Sequence, residues 1–242
     1  MKNKRLFAVV FLATMAFSLC SAQKSEWKGE LGASFEFKNQ EFWRGVQLTD
    51  NLTYLPSLYY EIGNWSFATY GIFDRANTYK EIDYEITYSI GNFTLGAIDY
   101  YAPEMTAPWN ETFNFKKDET SHFLDLSVEY APEAFPFRAM ISTCPFGCDF
   151  DEDGKFCWST YGEIGSTQSL PFGFELTETI GAALNRSTYT DYEAKGIRFT
   201  SISAELSKSF EFAGMELPLN LGCIWNPYIK DVFFTISFGV AL

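Results

Sequence analysis

The chain has 242 residues and carries 18 Lys and Arg against 31 Asp and Glu, a formal net charge of -13 at pH 7. A protein this acidic repels nucleic acid, which argues against DNA or RNA as a partner. Aromatic residues make up 19% of the chain. That is more than a soluble core needs, and it favours a protein whose outer faces are apolar.

The N-terminus has the order of an export signal. Basic residues at the start are followed by an apolar stretch over 6–19 and by the small residues Ser21 and Ala22. This order predicts a cleaved signal peptide over residues 1–22 and one mature domain over residues 23–242. The apolar stretch is too short to span a membrane, and a transmembrane helix is not expected in the rest of the chain.

Beyond the signal, apolar and polar residues alternate with a period of two, which predicts β-strands. In one of these segments Ile82, Tyr84 and Ile86 alternate with Asp83 and Glu85. Twelve strands are expected, over residues 27–38, 52–62, 65–73, 81–90, 93–101, 121–130, 136–143, 157–167, 172–184, 197–210, 217–226 and 232–242. One apolar face in nearly every strand indicates a sheet whose outer side meets lipid.

The last segment shows this alternation most clearly. Over residues 232–242, one face carries residues such as Phe234 and Phe238, and the other carries Thr235 and Ser237. The segment is about as long as a tilted strand that crosses a bilayer. A final amphipathic strand is expected to close a barrel by pairing with the first strand.

The connections between the expected strands alternate in length. Short turns are expected at residues 63–64, 91–92, 131–136, 168–171 and 211–216, and longer loops at 39–51, 74–79, 102–120, 144–156, 185–196 and 226–231. We therefore predict an all-β fold, a transmembrane antiparallel up-and-down β-barrel of about 12 strands with short periplasmic turns and longer extracellular loops. Its location would be the bacterial outer membrane, and its partners the membrane lipid and the barrel assembly machinery.

Tryptophans are expected at the two membrane rims, where aromatic belts lie. This threading puts Trp27 and Trp65 at the periplasmic rim, and Trp43, Trp158 and Trp225 near the outer rim. Core packing in a soluble sandwich would scatter them through strand centres instead.

If the apolar faces meet lipid, the alternate positions line a lumen. The expected pore-lining residues are Glu36, Glu61, Glu81, Asp83, Glu85, Asp125, Glu129, Arg138, Glu163, Glu175 and Glu205. A wall with this acidic excess would attract cations and repel small anions. The alternative is that these charges lie inside only because a barrel has no other place for them.

One acidic segment resembles the start of a calcium-binding loop, since Asp149, Asp151 and Asp153 alternate ahead of Gly154. The closing glutamate is absent, because Thr160 occupies the twelfth position. A solvated acidic hairpin tip is the alternative. We therefore expect no cofactor and no metal site, with this loop as the only calcium candidate.

Four cysteines remain after signal cleavage, namely Cys144, Cys148, Cys157 and Cys223. An exported protein can form disulfides, and we predict one bridge among the three cysteines of the 144–157 loop. The sequence does not select among the pairings. A zinc site is not expected, since no histidine is nearby.

His122 is the only histidine, and Ser121 precedes it. Neighbouring strand residues face opposite sides of a sheet, so these two cannot form a nucleophile–base pair with each other. No enzyme is predicted.

Residues 31–60 carry a short motif, Trp43-Arg44-Gly45, ahead of a proline-containing strand with Pro56. This stretch resembles the TorF-like porin family, and the resemblance implies passive transport without naming a solute. We expect Arg44 to turn inward at the outer rim and pair with wall carboxylates, while Gly45 permits a tight bend. The chain departs from many outer-membrane barrels in ending on Leu242 rather than on an aromatic residue.

The sequence thus predicts an outer-membrane, porin-like channel for passive diffusion of small hydrophilic solutes, with a cation bias. The alternatives are a non-conducting barrel with surface-binding loops and a substrate-specific channel of the nucleoside type. A lipid-modifying barrel enzyme is disfavoured. The sequence leaves open whether the pore is open, plugged or gated.

Overall fold

The computed structural model describes residues 29–106, 109–116 and 119–242. The predicted signal peptide and Trp27 lie outside the described residues. In chain order the strands are β1 (Glu30–Lys38), β2 (Glu41–Trp43), β3 (Val46–Thr49), β4 (Thr53–Ile62), β5 (Trp65–Asp74), β6 (Lys80–Ile90), β7 (Phe93–Tyr101), β8 (His122–Tyr130), β9 (Phe137–Gly147), β10 (Thr160–Leu170), β11 (Phe174–Ala183), β12 (Arg198–Phe212), β13 (Met215–Asn226) and β14 (Asp231–Ala241). Short 3-10 helices cover Trp109–Phe113, Pro171–Gly173 and Thr188–Thr190.

Twelve of these strands close into one antiparallel barrel, and β2 and β3 form a separate two-stranded sheet. Each barrel strand pairs with its neighbour in the sequence of barrel strands, and β14 closes the ring against β1. In that closing pair Phe37 lies opposite Phe238, and their rings stack with centroids 5.1 Å apart. The predicted pairing of the last strand with the first is confirmed.

The outer surface of the barrel is an apolar band. Large side chains remain exposed there on many strands, for example Ile90 at 56%, Ile164 at 63% and Phe234 at 68%. So continuous an apolar surface is unfavourable on a monomer in water, whereas a closed barrel in a bilayer needs an apolar surface toward the lipid. Together with the even number of antiparallel strands, this makes the chain an outer-membrane-type barrel. The predicted fold class and outer-membrane location are confirmed.

The turns and loops sort to opposite ends of the barrel. Two-residue turns join β4 to β5 and β6 to β7, with Gly63 and Gly91 in the left-handed region at φ values of 61° and 57°. Such backbone angles match the twist of a tight hairpin and favour glycine. We call the opposite end, with the longer loops, the outer end. Among the described residues, no helix is long and apolar enough to cross a membrane.

One strand, β9, extends well beyond its predicted end. β9 continues to Gly147, past the predicted end at residue 143, although Pro145 lies within it. Proline usually ends a strand because it cannot donate a ladder hydrogen bond. Here the ladder is already irregular, with a register shift opposite Leu124 to Leu126 of β8, so β9 tolerates the proline.

The larger difference concerns residues 39–51, predicted as a plain loop. They contain the β2–β3 hairpin, whose turn residues Arg44 and Gly45 have φ values of 53° and 85°. Positive φ at both central residues is the geometry of the tightest hairpin turns. The usual signal for such a turn is Asn-Gly or Asp-Gly. Arg-Gly lacks the first residue of that signal.

Candidate functional site: a hairpin inside the lumen

The β2–β3 hairpin, here called the lumen hairpin (residues 39–51), folds into the barrel. Its base is fastened to β14: the side chain of Asn39 donates to the Phe234 carbonyl at 3.1 Å, and Gln40 donates to the same carbonyl at 2.8 Å. Just inside, the Phe42 ring lies 4.8 Å from the inward-facing Phe233 ring. The hairpin therefore leaves the wall at the β1–β14 seam.

The tip reaches the opposite wall through Arg44. Its Nη2 donates to Oδ2 of Asp125 on β8 at 2.5 Å, and its Nη1 donates to the Tyr189 hydroxyl at 2.5 Å. The guanidinium also lies 4.8 Å from the ring centroid of Tyr161 on β10. The side chain of Asp125 is only 1% exposed, so this is a buried, charge-assisted contact rather than a surface ion pair.

The backbone of the tip is bound as well. Thr200 on β12 donates its hydroxyl to the Arg44 carbonyl at 3.0 Å, and Asn226 on β13 donates its amide to the Gly45 carbonyl at 3.0 Å. A Cβ at Gly45 would lie 1.9 Å from the Thr200 carbonyl oxygen. Only glycine permits this approach. Four wall strands, β8, β10, β12 and β13, thus hold the tip.

Aromatic side chains fill the space around the tip. The Trp43 ring lies 5.1 Å from Tyr100, 5.5 Å from Phe123 and 5.0 Å from Tyr189. Tyr189 belongs to the 3-10 helix Thr188–Thr190 of an outer loop, so that loop also folds inward. The pKa of Arg44 is raised: burial alone would lower it, but Tyr189 and Asp125 raise it by more. The arginine therefore stays charged in the barrel.

The filling is confined to the outer half of the lumen. Tyr161 and Thr200, which face the tip, have 0% exposure. Nearer the short turns, the inward residues Glu61, Glu175 and Glu205 are exposed. The lumen is therefore accessible from the short-turn side and occupied by the hairpin toward the outer end.

The strand registers place all the predicted pore-lining residues on the inner face. These are Glu36, Glu61, Glu81, Asp83, Glu85, Asp125, Glu129, Arg138, Glu163, Glu175 and Glu205. The structure gives three of the carboxylates an arginine partner. Asp125 pairs with Arg44, and Arg138 joins Glu129 at 3.2 Å to Glu163.

A second group of inner-face charges lies beside the base of the hairpin. Lys38 on β1 pairs with Glu41 on the hairpin at 3.1 Å, and Tyr79 donates its hydroxyl to Glu81 at 2.5 Å. Glu41 is only 8% exposed, and its Oε2 has no hydrogen-bond partner among the described residues. Burial raises the pKa of Glu41, the Lys38 ion pair lowers it in part, and Glu36 raises it further.

Docking of the hairpin should depend on pH through Glu41. A carboxyl group with a raised pKa binds its proton more tightly in the docked state, so docking strengthens as pH falls through that raised pKa. The gain in docking free energy is complete below the ordinary glutamate pKa of about 4.3. We expect single-channel conductance to fall on acidification over this window. Glu41→Gln should flatten the dependence of conductance on pH, whereas Glu152→Gln in an exposed outer loop should leave it as in the native protein. An unchanged pH dependence in Glu41→Gln would show that Glu41 is not the group that controls docking.

The motif residues Trp43, Arg44 and Gly45 all lie at the hairpin tip. Arg44 faces inward against a wall carboxylate, at the position where the sequence reasoning expected it. Trp43 was predicted in the outer aromatic belt, and that placement is wrong, because the hairpin carries its ring into the lumen. Tyr189 was not predicted, since nothing in its loop signals an inward turn.

Two of the three calcium candidates, Asp149 and Asp151, have protein partners for their carboxylates. Both oxygens of Asp149 accept from Ser159, through the backbone N at 2.6 Å and the hydroxyl at 2.5 Å. Asp151 pairs with Arg186 at 2.7 Å, and hydrogen bonds from the backbone of Lys155, together with Arg186, lower the pKa of its carboxyl group. Within the described ranges, no group of three or more His, Cys, Asp or Glu side chains is arranged to hold a metal ion. The loop is a hairpin held by its own hydrogen bonds and by the ion pair to Arg186 of the next outer loop.

The predicted disulfide within the 144–157 loop is wrong, because Cys144, Cys148, Cys157 and Cys223 are all free thiols in the structure. Cys144 is fully buried, and its Sγ lies 3.2 Å from the Phe146 carbonyl oxygen. It acts as a small core residue.

His122 lies on the outward face at the outer end of β8, under a loop. Its Nδ1 is 2.9 Å from Asp99, and its Nε2 is 2.8 Å from the Thr112 carbonyl oxygen. The Phe115 ring covers it at 4.3 Å. Both ring nitrogens are thus occupied, which describes a structural tie between the loop and the wall.

No family model and no curated protein sequence matches the chain. Solved structures align with it at low identity. A bacterial polysaccharide outer membrane secretin is 8% identical, with 90% of this chain and 99% of that chain covered and a TM-score of 0.41. The translocator domain of the autotransporter NalP from Neisseria meningitidis is 11% identical (99% and 97% covered, TM-score 0.35). OmpF from Salmonella typhi, in complex with daunomycin, is 7% identical (88% and 96% covered, TM-score 0.37). Similarities this low assign no function to this chain.

Proposed function

We propose that the chain is an outer-membrane, porin-like channel for passive diffusion of small hydrophilic solutes, narrowed near its outer end by the lumen hairpin. The observation that carries this proposal is the contrast between the two halves of the lumen. The half nearer the short turns is polar and exposed, and the outer half is occupied by the hairpin, held at its base and its tip. The resemblance to the TorF-like porin family agrees with this function.

We further propose a cation bias. The inner-face carboxylates of Glu61, Glu175 and Glu205 are exposed in the open half of the lumen. The arginines on the wall and hairpin are already engaged by Asp125, Glu129 and Glu163. The remaining negative charge would concentrate cations in the open half. Membrane lipid surrounds the barrel, and the assembly machinery inserts it; no enzymatic activity or cofactor is proposed.

Planar-bilayer recording of the purified, refolded protein tests the proposal. We expect discrete conductance steps and a reversal potential on the cation side in a salt gradient. Glu61→Gln combined with Glu205→Gln should shift that potential toward zero with the steps retained, because a focusing charge is lost while the barrel is unchanged. The matched control Glu152→Gln removes an exposed loop charge and should leave it unchanged. Steps without cation preference would contradict the bias alone.

A second candidate is a non-conducting barrel with binding loops, which the filled outer half of the lumen favours. The same recordings separate it from the channel. If neither the native protein nor a variant with an undocked hairpin shows conductance steps, the channel proposal is wrong and the non-conducting barrel is favoured.

A further inference from the structure

The outward face of the barrel changes character on β10 and β11. On β6, β13 and β14 the middle of the lipid-facing surface is apolar, and Ile86, Leu221 and Ile236 are exposed there. On β10 and β11 that row instead includes Ser166, Gln168 and Glu178. The outward set follows from the register, since Gln168 lies opposite Leu176 and Ser166 lies opposite Glu178.

Glu178 occupies the middle of its strand. Leu176 and Ile180 flank it on the same outward face, so it lies within the apolar band rather than at its edge. The Gln168 side-chain amide donates to its Oε2 at 3.3 Å, and both side chains are exposed. A hydrogen-bonded amide–carboxylate pair thus faces the hydrocarbon region.

Such a pair is unfavourable against lipid. Ionisable side chains at lipid-facing positions of barrels destabilise in a depth-dependent way, and those that occur within membranes almost always pair with protein groups. One hydrogen bond from Gln168 leaves the other carboxylate oxygen and the second amide hydrogen for an external partner. A partner surface that satisfies both groups must present one hydrogen-bond donor and one acceptor side by side.

The same patch on a second copy meets this requirement. We propose that the outward faces of β10 and β11 of two copies pack together in the membrane, with Gln168 of one chain donating to Glu178 of the other. A two-fold contact is self-complementary, so each amide–carboxylate pair meets its own image. Around it, Gly162 and Ser166 are small enough for close approach, and exposed Ile164 supplies an apolar contact.

The test is the mass of the mature protein in detergent micelles, measured by light scattering, together with energy transfer between donor- and acceptor-labelled copies in vesicles. We expect the native chain to self-associate. Gln168→Leu combined with Glu178→Leu should weaken association at least tenfold while the barrel stays folded, because both changes suit a lipid-facing strand. Heat-modifiable migration in gels verifies folding independently of association.

Thr69→Leu is the matched control, since it removes an outward polar group on β5, across the barrel from β10 and β11. It should leave association unchanged. A native chain that stays monomeric in vesicles at high protein density would overturn the proposal. So would a Gln168→Leu, Glu178→Leu double variant that associates as tightly as the native chain, or association only with a different protein. None of these outcomes depends on whether the lumen conducts.

Discussion

Replacing Arg44 with alanine is expected to raise the open probability and conductance of the channel by a large factor. The change removes the contacts to Asp125 and Tyr189 that hold the hairpin tip against the far wall. It also leaves the Asp125 carboxylate buried without its cation. Breaking one side of a buried ion pair costs about 3–5 kcal/mol, which shifts a two-state docking equilibrium by roughly a hundredfold or more. Single-channel recording measures both quantities.

Two further variants make the result specific. Arg75→Ala removes an arginine that is exposed in an outer loop, and it should leave the recordings unchanged. Arg44→Lys keeps the charge but not the planar fork that reaches two acceptors, so an intermediate open probability is expected. If Arg44→Ala folds and conducts like the native protein, the contacts of Arg44 do not hold the tip of the lumen hairpin in place.

The barrel itself could be predicted from sequence because its signal is repeated. Each strand alternates apolar and polar residues, and a one-residue slip would turn the whole apolar face inward. Residues as far apart as Phe37 and Phe238 therefore fall on the same face and meet at the closing seam. The inner-face positions of Glu61 and Glu205 follow from the same alternation.

The hairpin could not be predicted in this way, because it obeys no such repeat. Its position rests on single contacts between distant residues, such as Arg44 with Asp125 and Asn226 with the Gly45 carbonyl. Each contact needs the closed barrel to exist before the two residues can be neighbours. The motif residue Arg44 gave a hint of inward pairing, but neither its acceptor nor the role of Tyr189 has a local sequence signal.

The charge on the inner wall also depends partly on the repeated alternation and partly on single contacts between distant residues. Counting inward residues predicts the acidic excess, but not which carboxylates are neutralised. Arg138 lies between Glu129 and Glu163 on neighbouring strands, and the hairpin brings Arg44 to Asp125. Of the acids that remain, Glu61, Glu175 and Glu205 are exposed in the half of the lumen that the hairpin leaves open, whereas Glu81 and Asp83 are buried. Selectivity and closure are therefore expected to arise at different depths, and substitutions should alter one without the other.

Gly45→Ala is expected to release the lumen hairpin even though Arg44, Asp125 and Tyr189, whose side chains hold its tip, are all retained. The residue has a φ of 85°, and an added Cβ would lie 1.9 Å from the Thr200 carbonyl oxygen. That oxygen belongs to the backbone of β12, between Phe199 and Ser201, which are both paired with β11 and limit how far the backbone can withdraw. The tip must therefore move away, and we expect an open probability as high as in Arg44→Ala.

Gly154→Ala separates the clash from the strain of a positive φ. Gly154 has a φ of 73° in an outer loop, and no atom of the described part of the chain lies within 4 Å of an added Cβ. Its substitution should therefore cost only about 1 kcal/mol of local strain and leave conduction unchanged. The double variant Arg44→Ala, Gly45→Ala should open no further than either single change, since both act through the same docking step. Additive effects on the docking free energy would show instead that the two residues hold different parts of the lumen closed.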